Sequence, residues 1–243
     1  MSLLVVTGLT KRFGGLCAVK DLGFEVPAGT IHGIIGPNGA GKTSLFNLLT
    51  GFLPANQGSV RLLGTELLGR PPHAIARLGL ARTFQLARPF AGLTVLETLM
   101  LPLSLPGRCA SAAERRSQAG GLLERLGLSH KADSPGESLN QGELRLLDIG
   151  RALATQPRLL LLDEPFSGLG TQAVRRVVQC LRERREAGGT TLIIEHRLRE
   201  LMPLIDRALV LNFGSRLAEG TPQAIAADEQ VIEAYLGRQE VPA

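Results

Sequence analysis

Tryptophan is absent from this 243-residue chain, which has one tyrosine and 8 phenylalanines. That leaves little with which to stack nucleobases along a nucleic-acid path. Cysteine is also scarce. Cys17, Cys109 and Cys180 are odd in number, far apart and without metal-ligand spacing, so reduced, inert thiols are expected rather than a disulfide framework or a thiolate metal centre. No stretch approaches the ~18 uninterrupted apolar residues of a membrane-crossing helix, so any work at a membrane would be done from outside the bilayer. The opening Met1-Ser2-Leu3-Leu4-Val5-Val6 has neither the basic leader nor the small-residue cleavage site of a secretory signal, and a cytoplasmic protein is expected.

What is present is the composition of a globular protein, 44% hydrophobic and 20% charged, with length enough for one large domain or one domain carrying an insertion. The net charge of +5 could be a footprint for nucleic acid or for an anionic membrane surface. However, Arg175, Arg176, Arg182, Arg184 and Arg185 are interleaved with Glu183 and Glu186, which reads as a solvated helix face.

The sharpest signal is Gly36-Pro37-Asn38-Gly39-Ala40-Gly41-Lys42-Thr43-Ser44, which fills the phosphate-loop pattern G-x-x-x-x-G-K-[ST]. Its glycines let consecutive backbone N–H groups turn around an anion, and the helix that follows presents its positive end to the same phosphates. Lys42 would reach the β- and γ-phosphates as a point charge, and the Thr43 hydroxyl would be a Mg²⁺ ligand. The apolar run Ile31 to Ile35 ahead of the loop reads as a buried strand.

Around that loop the chain alternates strand and helix patterns. Short strands are expected at Leu3–Thr10 and Leu22–Val26, joined through 11–16, with a hairpin strand at Gly58–Gly64 and a core strand at Leu80–Phe84 ending at Gln85. Phe13 either packs or stacks on a base, and Gln85 is either a loop start or a ligand at a strand's carboxyl end. From Leu86 to Gly136 the material turns helical, with helices at Val95–Leu103 and Ala110–Leu126, and contains no acid/base pair or ligand cluster. Ser138 to Glu143 precedes a periodic helix from Leu144 to Ala154 and is either a cap or a second anion site. Leu159 to Leu162 marks a strand buried on both faces. It ends in Asp163, which would hold Mg²⁺ directly or through water, and Glu164, which would polarise an attacking water. Thr190 to Ile194 is another buried strand, leading to Glu195 and His196, the latter a candidate γ-phosphate contact. A hairpin at 209–218 and a helix at Asp228–Leu236 close the chain.

Assembled, these residues resemble the ATP-binding subunit of an ABC transporter over nearly the whole length. Gly36–Ser44 is similar to Walker A, Gln85 to the Q-loop, Leu139–Glu143 to the signature, Leu159–Glu164 to Walker B and His196 to the switch histidine. The resemblance implies a P-loop NTPase (RecA-like) α/β core, its mostly parallel sheet joined to an N-terminal antiparallel β layer and an inserted helical subdomain at 86–149. Residues 1–85 and 150–243 would form the β layer and core. It also implies ATP and Mg²⁺ as cofactors, adenine stacking by Phe13, and contact of Gln85 with Mg²⁺ and the γ-phosphate. Water activation would fall to Glu164 and γ-phosphate contact to His196. Leu139, Asn140, Gln141 and Gly142 would complete, in trans, a site on a second ATP-binding subunit.

Finer stretches resemble one of the two ATP-binding subunits of branched-chain amino acid importers: Phe46–Gly51, Ala81–Gln85, Leu93–Glu97, Ile194–His196 and Glu233–Gly237. The implied partners are transmembrane permease subunits and, indirectly, a substrate-binding protein, at the cytoplasmic face of the membrane. A related urea or amide importer, a subunit that binds ATP with little hydrolysis, and a soluble relative acting on nucleic acid or ribosomes are the other readings; the last usually carries a second cassette or a long coiled-coil insertion, which this chain lacks.

Three stretches depart from the family pattern. Asn140 replaces a serine and Glu143 adds a carboxylate in the signature, Gly170 stands where Asp or Asn is common, and Arg197 follows His196 where Asp is frequent. The first two act on the partner's nucleotide, so an asymmetric heterodimer is expected, with Glu143 repelling the phosphate across the interface.

Overall fold

Alternating apolar and polar residues open the chain as a long hairpin, β1 (Ser2–Phe13) and β2 (Leu16–Pro27), paired antiparallel from Ser2–Pro27 to Phe13–Leu16. The computed structural model describes residues 2–84, 89–105 and 111–236. Both strands run further than the expected 3–10 and 22–26. The polar segment 11–13 stays in the ladder because Lys11 pairs with Val19 and its ammonium reaches the Pro54 carbonyl at 2.8 Å.

β3 (Ile31–Ile35) leads through the glycine loop into α1 (Lys42–Leu49), followed by β4 (Gln57–Leu62), β5 (Thr65–Glu66), α2 (Pro72–Arg77) and β6 (Leu80–Arg82). A helical stretch then contains α3 (Val95–Leu103), α4 (Ala112–Leu126) and α5 (Gln141–Ala154). The rest alternates: β7 (Leu159–Asp163), α6 (Thr171–Glu186), β8 (Thr190–Ile194), α7 (Leu198–Leu201), β9 (Arg207–Asn212), β10 (Ser215–Gly220), α8 (Pro222–Ala226) and α9 (Glu229–Leu236).

The strands form two sheets. One is antiparallel, ordered β2-β1-β4-β5; the other is ordered β10-β9-β3-β8-β7-β6 and is parallel from β9 to β6, with β10 antiparallel at its edge. The leucines of β7 show how one strand serves both faces: Leu159 and Leu161 pack with Leu4, Leu22 and Phe46 in the core beneath the antiparallel sheet, whereas Leu160 and Leu162 pack with Leu99, Ile149 and Val177 under the helices. Alternation across a strand requires this when both faces are covered. In a parallel sheet of this kind ligands are taken up beyond the carboxyl ends of the strands. The ends of β3, β7 and β8 therefore matter most.

Helix starts follow their caps. Thr94 and Asn140 each form a capping box with the Glu three residues on, and Ser111 caps α4. The Asn140 cap starts α5 at Gln141, three residues before the expected Leu144. Among the described residues no helix is long and apolar enough to cross a membrane.

Candidate functional site

The loop 36–44 is shaped by backbone that only glycine tolerates. Gly36 (φ 148°) and Gly41 (φ 99°) are in the left-handed half of conformational space, and a Cβ would lie 2.1 Å from the Leu211 carbonyl oxygen at Gly36 and 2.2 Å from that of Ala18 at Gly41. The turn between β9 and β10 braces the loop, Gly214 N–H donating to the Ala40 carbonyl and Lys20 N–H to that of Gly214. α1 has Gly41 at its N-cap, no side-chain cap and no acidic residue in its first turn, so its leading N–H groups are left for an anion.

Lys42 spans this loop, its ammonium donating to the carbonyls of Gly36 (2.7 Å) and Pro37 (2.9 Å). Burial lowers its pKa, and the charges of Glu164 and Asp163 oppose the shift. The lysine, held by carbonyls and facing two carboxylates, is placed to donate to phosphate oxygens. The Tyr235 phenol of α9, by contrast, has its pKa raised by burial, which the Gly36 backbone opposes.

Asp163 ends β7 fully buried. Its Oδ2 accepts from Arg82 Nη2 at 2.9 Å, its backbone N–H donates to Thr83 Oγ1, and its Oδ1 has no hydrogen-bond partner. Burial pushes the carboxyl up, while the Arg82 hydrogen bond and charge pull it down. Glu164 follows with φ 49°, an uncommon conformation for a non-glycine residue, its N–H bound to the Ile194 carbonyl of β8. Its Oε1 is 3.7 Å from His196 Nδ1. The chain thus turns Glu164 out of the strand, partly exposed, beside the loop that follows β8.

That loop is pinned by Glu195. Its buried carboxylate accepts from Phe166 N–H (2.8 Å) through Oε1, and from His196 (2.8 Å) and Arg197 (3.0 Å) N–H through Oε2. Arg197 in turn donates to the carbonyls of Phe166 (2.9 Å) and Leu169 (3.3 Å) and pairs with Glu200. The unusual Arg197 is therefore bound to the segment Ser167–Gly170, linking it to the His196 loop.

The remaining expected residues are more dispersed. Phe13 is half-exposed at the end of β1, opposite Leu16, with the Lys11 ammonium 5.1 Å from its ring centre. Gln85 lies outside the described residues, as do Cys109 and Gly237. Its neighbour Phe84 is held by α5: Asp148 Oδ2 accepts its N–H (3.1 Å), and Arg145 Nη1 donates to its carbonyl (2.8 Å). This ends β6 at Arg82, short of the expected Phe84. In the signature stretch Leu139 is buried, while Asn140 and Gln141 are exposed, and Gly142 adjoins the Gly168 carbonyl. Asn140 Oδ1 accepts from Glu143 N–H and Glu143 Oε2 accepts from Asn140 N–H, both at 2.9 Å. Glu143 is thereby bound back onto its own helix start, and the amide of Asn140 keeps its N–H₂ for another acceptor.

Among the described residues no cluster of three or more His, Cys, Asp and Glu could hold a metal ion on its own. The donor set fits Mg²⁺ carried by phosphates: a hydroxyl on Thr43 and one unpartnered oxygen on Asp163. Three side chains that organise this site, Arg82, Arg145 and Glu195, were not singled out from the sequence. The signal for Arg82 was present: a cation inside a core strand requires a partner.

A groove of about 1010 Å³ lies between 50–84 and the helices, walled by Phe52, Phe84, Phe90, Leu101 and Leu105. All five side chains are exposed.

The family model described as ABC transporter matches residues 19–167, and a second, branched-chain amino acid ATP-binding cassette transporter, matches 215–241. The chain is 41% identical over 249 residues to the high-affinity branched-chain amino acid transport ATP-binding protein LivG of Salmonella typhimurium, covering 97% of this chain and 98% of the relative. It is likewise 41% identical over 251 residues to BraF of Pseudomonas aeruginosa, with the same coverage. In structure it is similar to an ATP-binding cassette of an ABC transporter solved in its ADP conformation, with TM-score 0.84, 33% identity, and 98% and 99% of the two chains covered.

Proposed function

The chain belongs to the ABC transporter family of ATP-binding cassettes, and on that premise we propose that it binds and hydrolyses ATP to energise an importer of branched-chain amino acids. The observation that carries the reading is the convergence on one loop of Lys42, Asp163 and Glu164, with His196 3.7 Å from Glu164.

The backbone N–H groups of residues 36–44 and the Lys42 ammonium hold the triphosphate, and Phe13 stacks on the adenine. Thr43 and Asp163, with Gln85, would hold Mg²⁺, which would neutralise charge on the phosphate oxygens. Glu164 accepts a proton from water as the water oxygen bonds to the γ-phosphorus and the bond to the bridging β–γ oxygen breaks, giving ADP and phosphate. His196 contacts the γ-phosphate and, through Glu195 and Arg197, shares its support with Ser167–Gly170.

ATP drives closure onto a second ATP-binding subunit because the closed pair contacts the γ-phosphate better than the open one, and hydrolysis removes that difference. Leu139–Gly142 completes the partner's site. The heterodimer is favoured because Asn140 and Gly170 depart from the usual residues only in stretches that act in trans. The helical lobe 86–149 passes the motion to a permease at the cytoplasmic face of the membrane, and the exposed apolar walls of the 1010 Å³ groove beside Phe84 support docking there. A substrate-binding protein would deliver the cargo.

The test is purification of the intact transporter and identification of its substrate-binding protein and ligand. ATPase stimulated by that protein loaded with leucine, isoleucine or valine is expected. Stimulation by a urea- or amide-loaded protein would reassign the cargo, and no ATP hydrolysis by the complex would favour a regulatory subunit.

A further inference from the structure

Arg82 is an expensive residue to bury. Its side chain is 7% exposed and its partner Asp163 is 1% exposed, and burying a guanidinium in such a place is offset only through matched donors. Here both Nη groups are matched, while Nε has no partner. The match joins two elements that are not adjacent in sequence. Nη2 donates to Asp163 Oδ2 at the end of β7, while Nη1 donates to Asn47 Oδ1 at 2.7 Å and to Thr50 Oγ1 at 3.3 Å on or just beyond α1. Asn47 stands one helical turn after Thr43 on the same face of α1. Two of the side chains that the proposed function assigns to Mg²⁺, Thr43 and Asp163, therefore sit on different elements, and one guanidinium ties those elements together.

The same contacts select which carboxylate oxygen is free. Oδ2 of Asp163 is taken by Arg82, the backbone N–H of Asp163 is taken by Thr83, and Oδ1 alone is left without a partner. The guanidinium itself is held by two rings, with its carbon 5.5 Å from the centre of Phe46 and 5.3 Å from that of Phe84. Phe84 packs edge-on against Phe52, at 5.6 Å and 89°. Arg82 also lines the large groove, so the wall of the groove and the support of Asp163 are one side chain.

We propose that Arg82 is a positioning residue for the metal site, setting the separation of Thr43 and Asp163 and reserving Asp163 Oδ1 for the ion. A residue used only to balance a buried charge would need Asp163 alone; the bridge to Asn47 and Thr50 is what a metal site requires, because its ligands must be held at a fixed spacing. The inference rests on the ATP and Mg²⁺ reading above. It assigns to Arg82 no contact with the nucleotide.

The test uses the full chain and a fluorescent ATP analogue, since the absence of tryptophan leaves an intrinsic signal too weak to follow. Binding is titrated in EDTA and again in Mg²⁺, and Mn²⁺ is followed by electron paramagnetic resonance in the presence of ATP. Arg82→Met is expected to leave affinity in EDTA within about twofold of wild type while weakening the metal dependence by about 10-fold to 100-fold. Asn47→Ala, which keeps the ion pair and leaves the bridge only its longer 3.3 Å bond to Thr50, should move metal dependence in the same direction by less. Arg82→Lys, which can reach Asp163 but cannot present a fork to both elements, should fall between wild type and Met. If Arg82→Met does not fold by circular dichroism, the Lys and Ala variants decide the matter. Wild-type Mg²⁺ and Mn²⁺ binding in the folded variants, or an equal loss in EDTA and in Mg²⁺, would overturn the proposal. Failure of the unmodified chain to bind the analogue at all would instead remove the ATP reading beneath it.

Discussion

The two halves of the nucleotide machinery in this chain are built differently. Around the loop 36–44, the groups that would act on this chain's own ATP emerge from buried, cross-braced positions: Asp163 on Arg82, Glu164 on the Ile194 carbonyl, and the His196 loop on Glu195. At the start of α5, the groups that would act on a neighbour's ATP lie at the surface and are closed on themselves, Asn140 and Glu143 sharing two hydrogen bonds while Gly142 adjoins the Gly168 carbonyl. The contrast follows from when each half is completed. A site made by one chain can be preorganised in its core, whereas a surface that meets another chain must be stable in water beforehand, and a reciprocal helix cap satisfies its polar groups without that chain.

The cap changes the significance of Glu143. A free carboxylate would repel the partner's phosphate. One that accepts from Asn140 N–H has its charge set against the positive helix start, and the cap does not use the N–H₂ of the Asn140 amide.

The sharpest way to break the first half is to add one methyl group. Gly36→Ala would place a Cβ 2.1 Å from a backbone oxygen of β9 at a φ of 148°. A loss of about 3 kcal/mol or more in stability, together with loss of ATP binding, is expected from denaturant unfolding and nucleotide titration. Near wild-type binding would mean that the loop is not the rigid cradle described.

His32 sharpens the comparison by pH. It lies in β3 directly ahead of the loop, buried, with Nε2 unpartnered, and burial with the Arg207 charge lowers its pKa to about 4 against the opposing Asp206. The unfolded chain takes up a proton near pH 6.5 and the folded one does not. The contribution is therefore fully favourable above pH 6.5 and is lost as pH falls toward 4, by about 3 kcal/mol. Because Asp148 and Asp163 have raised pKa values and act in the opposite sense, the informative quantity is the difference between wild type and His32→Gln in thermal unfolding from pH 7 to pH 4.5. The variant should be the less sensitive to acid; parallel curves would remove His32 from the account.

The exposed half should respond far less. Asn140→Ala removes an N-cap and should cost about 1 kcal/mol of stability, with ATP binding by the isolated chain unchanged. A loss of this chain's own ATP binding would erase the division between the halves.

The difference between the halves also governs what was legible in the sequence. The glycine loop and Asp163–Glu164 are contiguous patterns whose chemistry is local, and the ends of β7 and β8 fall where their apolar runs stop. The capping box at Asn140 could be read in the same way, yet a periodicity count begins at the first apolar residue and so started α5 three residues late. Arg82 and Glu195 were opaque because their meaning depends on partners far along the chain, Asp163 and Asn47 for one and Phe166 for the other. No spacing rule records which buried cation meets which carboxylate. Arg197 read as a departure, and only the folded chain shows its guanidinium bound to the carbonyls of Phe166 and Leu169.

On the proposed function, this chain would supply the hydrolytic groups to its own nucleotide and an altered signature to its neighbour's. The direct test is steady-state ATPase of the assembled transporter with Glu164→Gln in this chain, compared with the matching glutamate-to-glutamine change in the second ATP-binding subunit. The account predicts a loss of about 10²-fold or more from Glu164→Gln and a clearly smaller loss from the partner's substitution. Equal losses would contradict it.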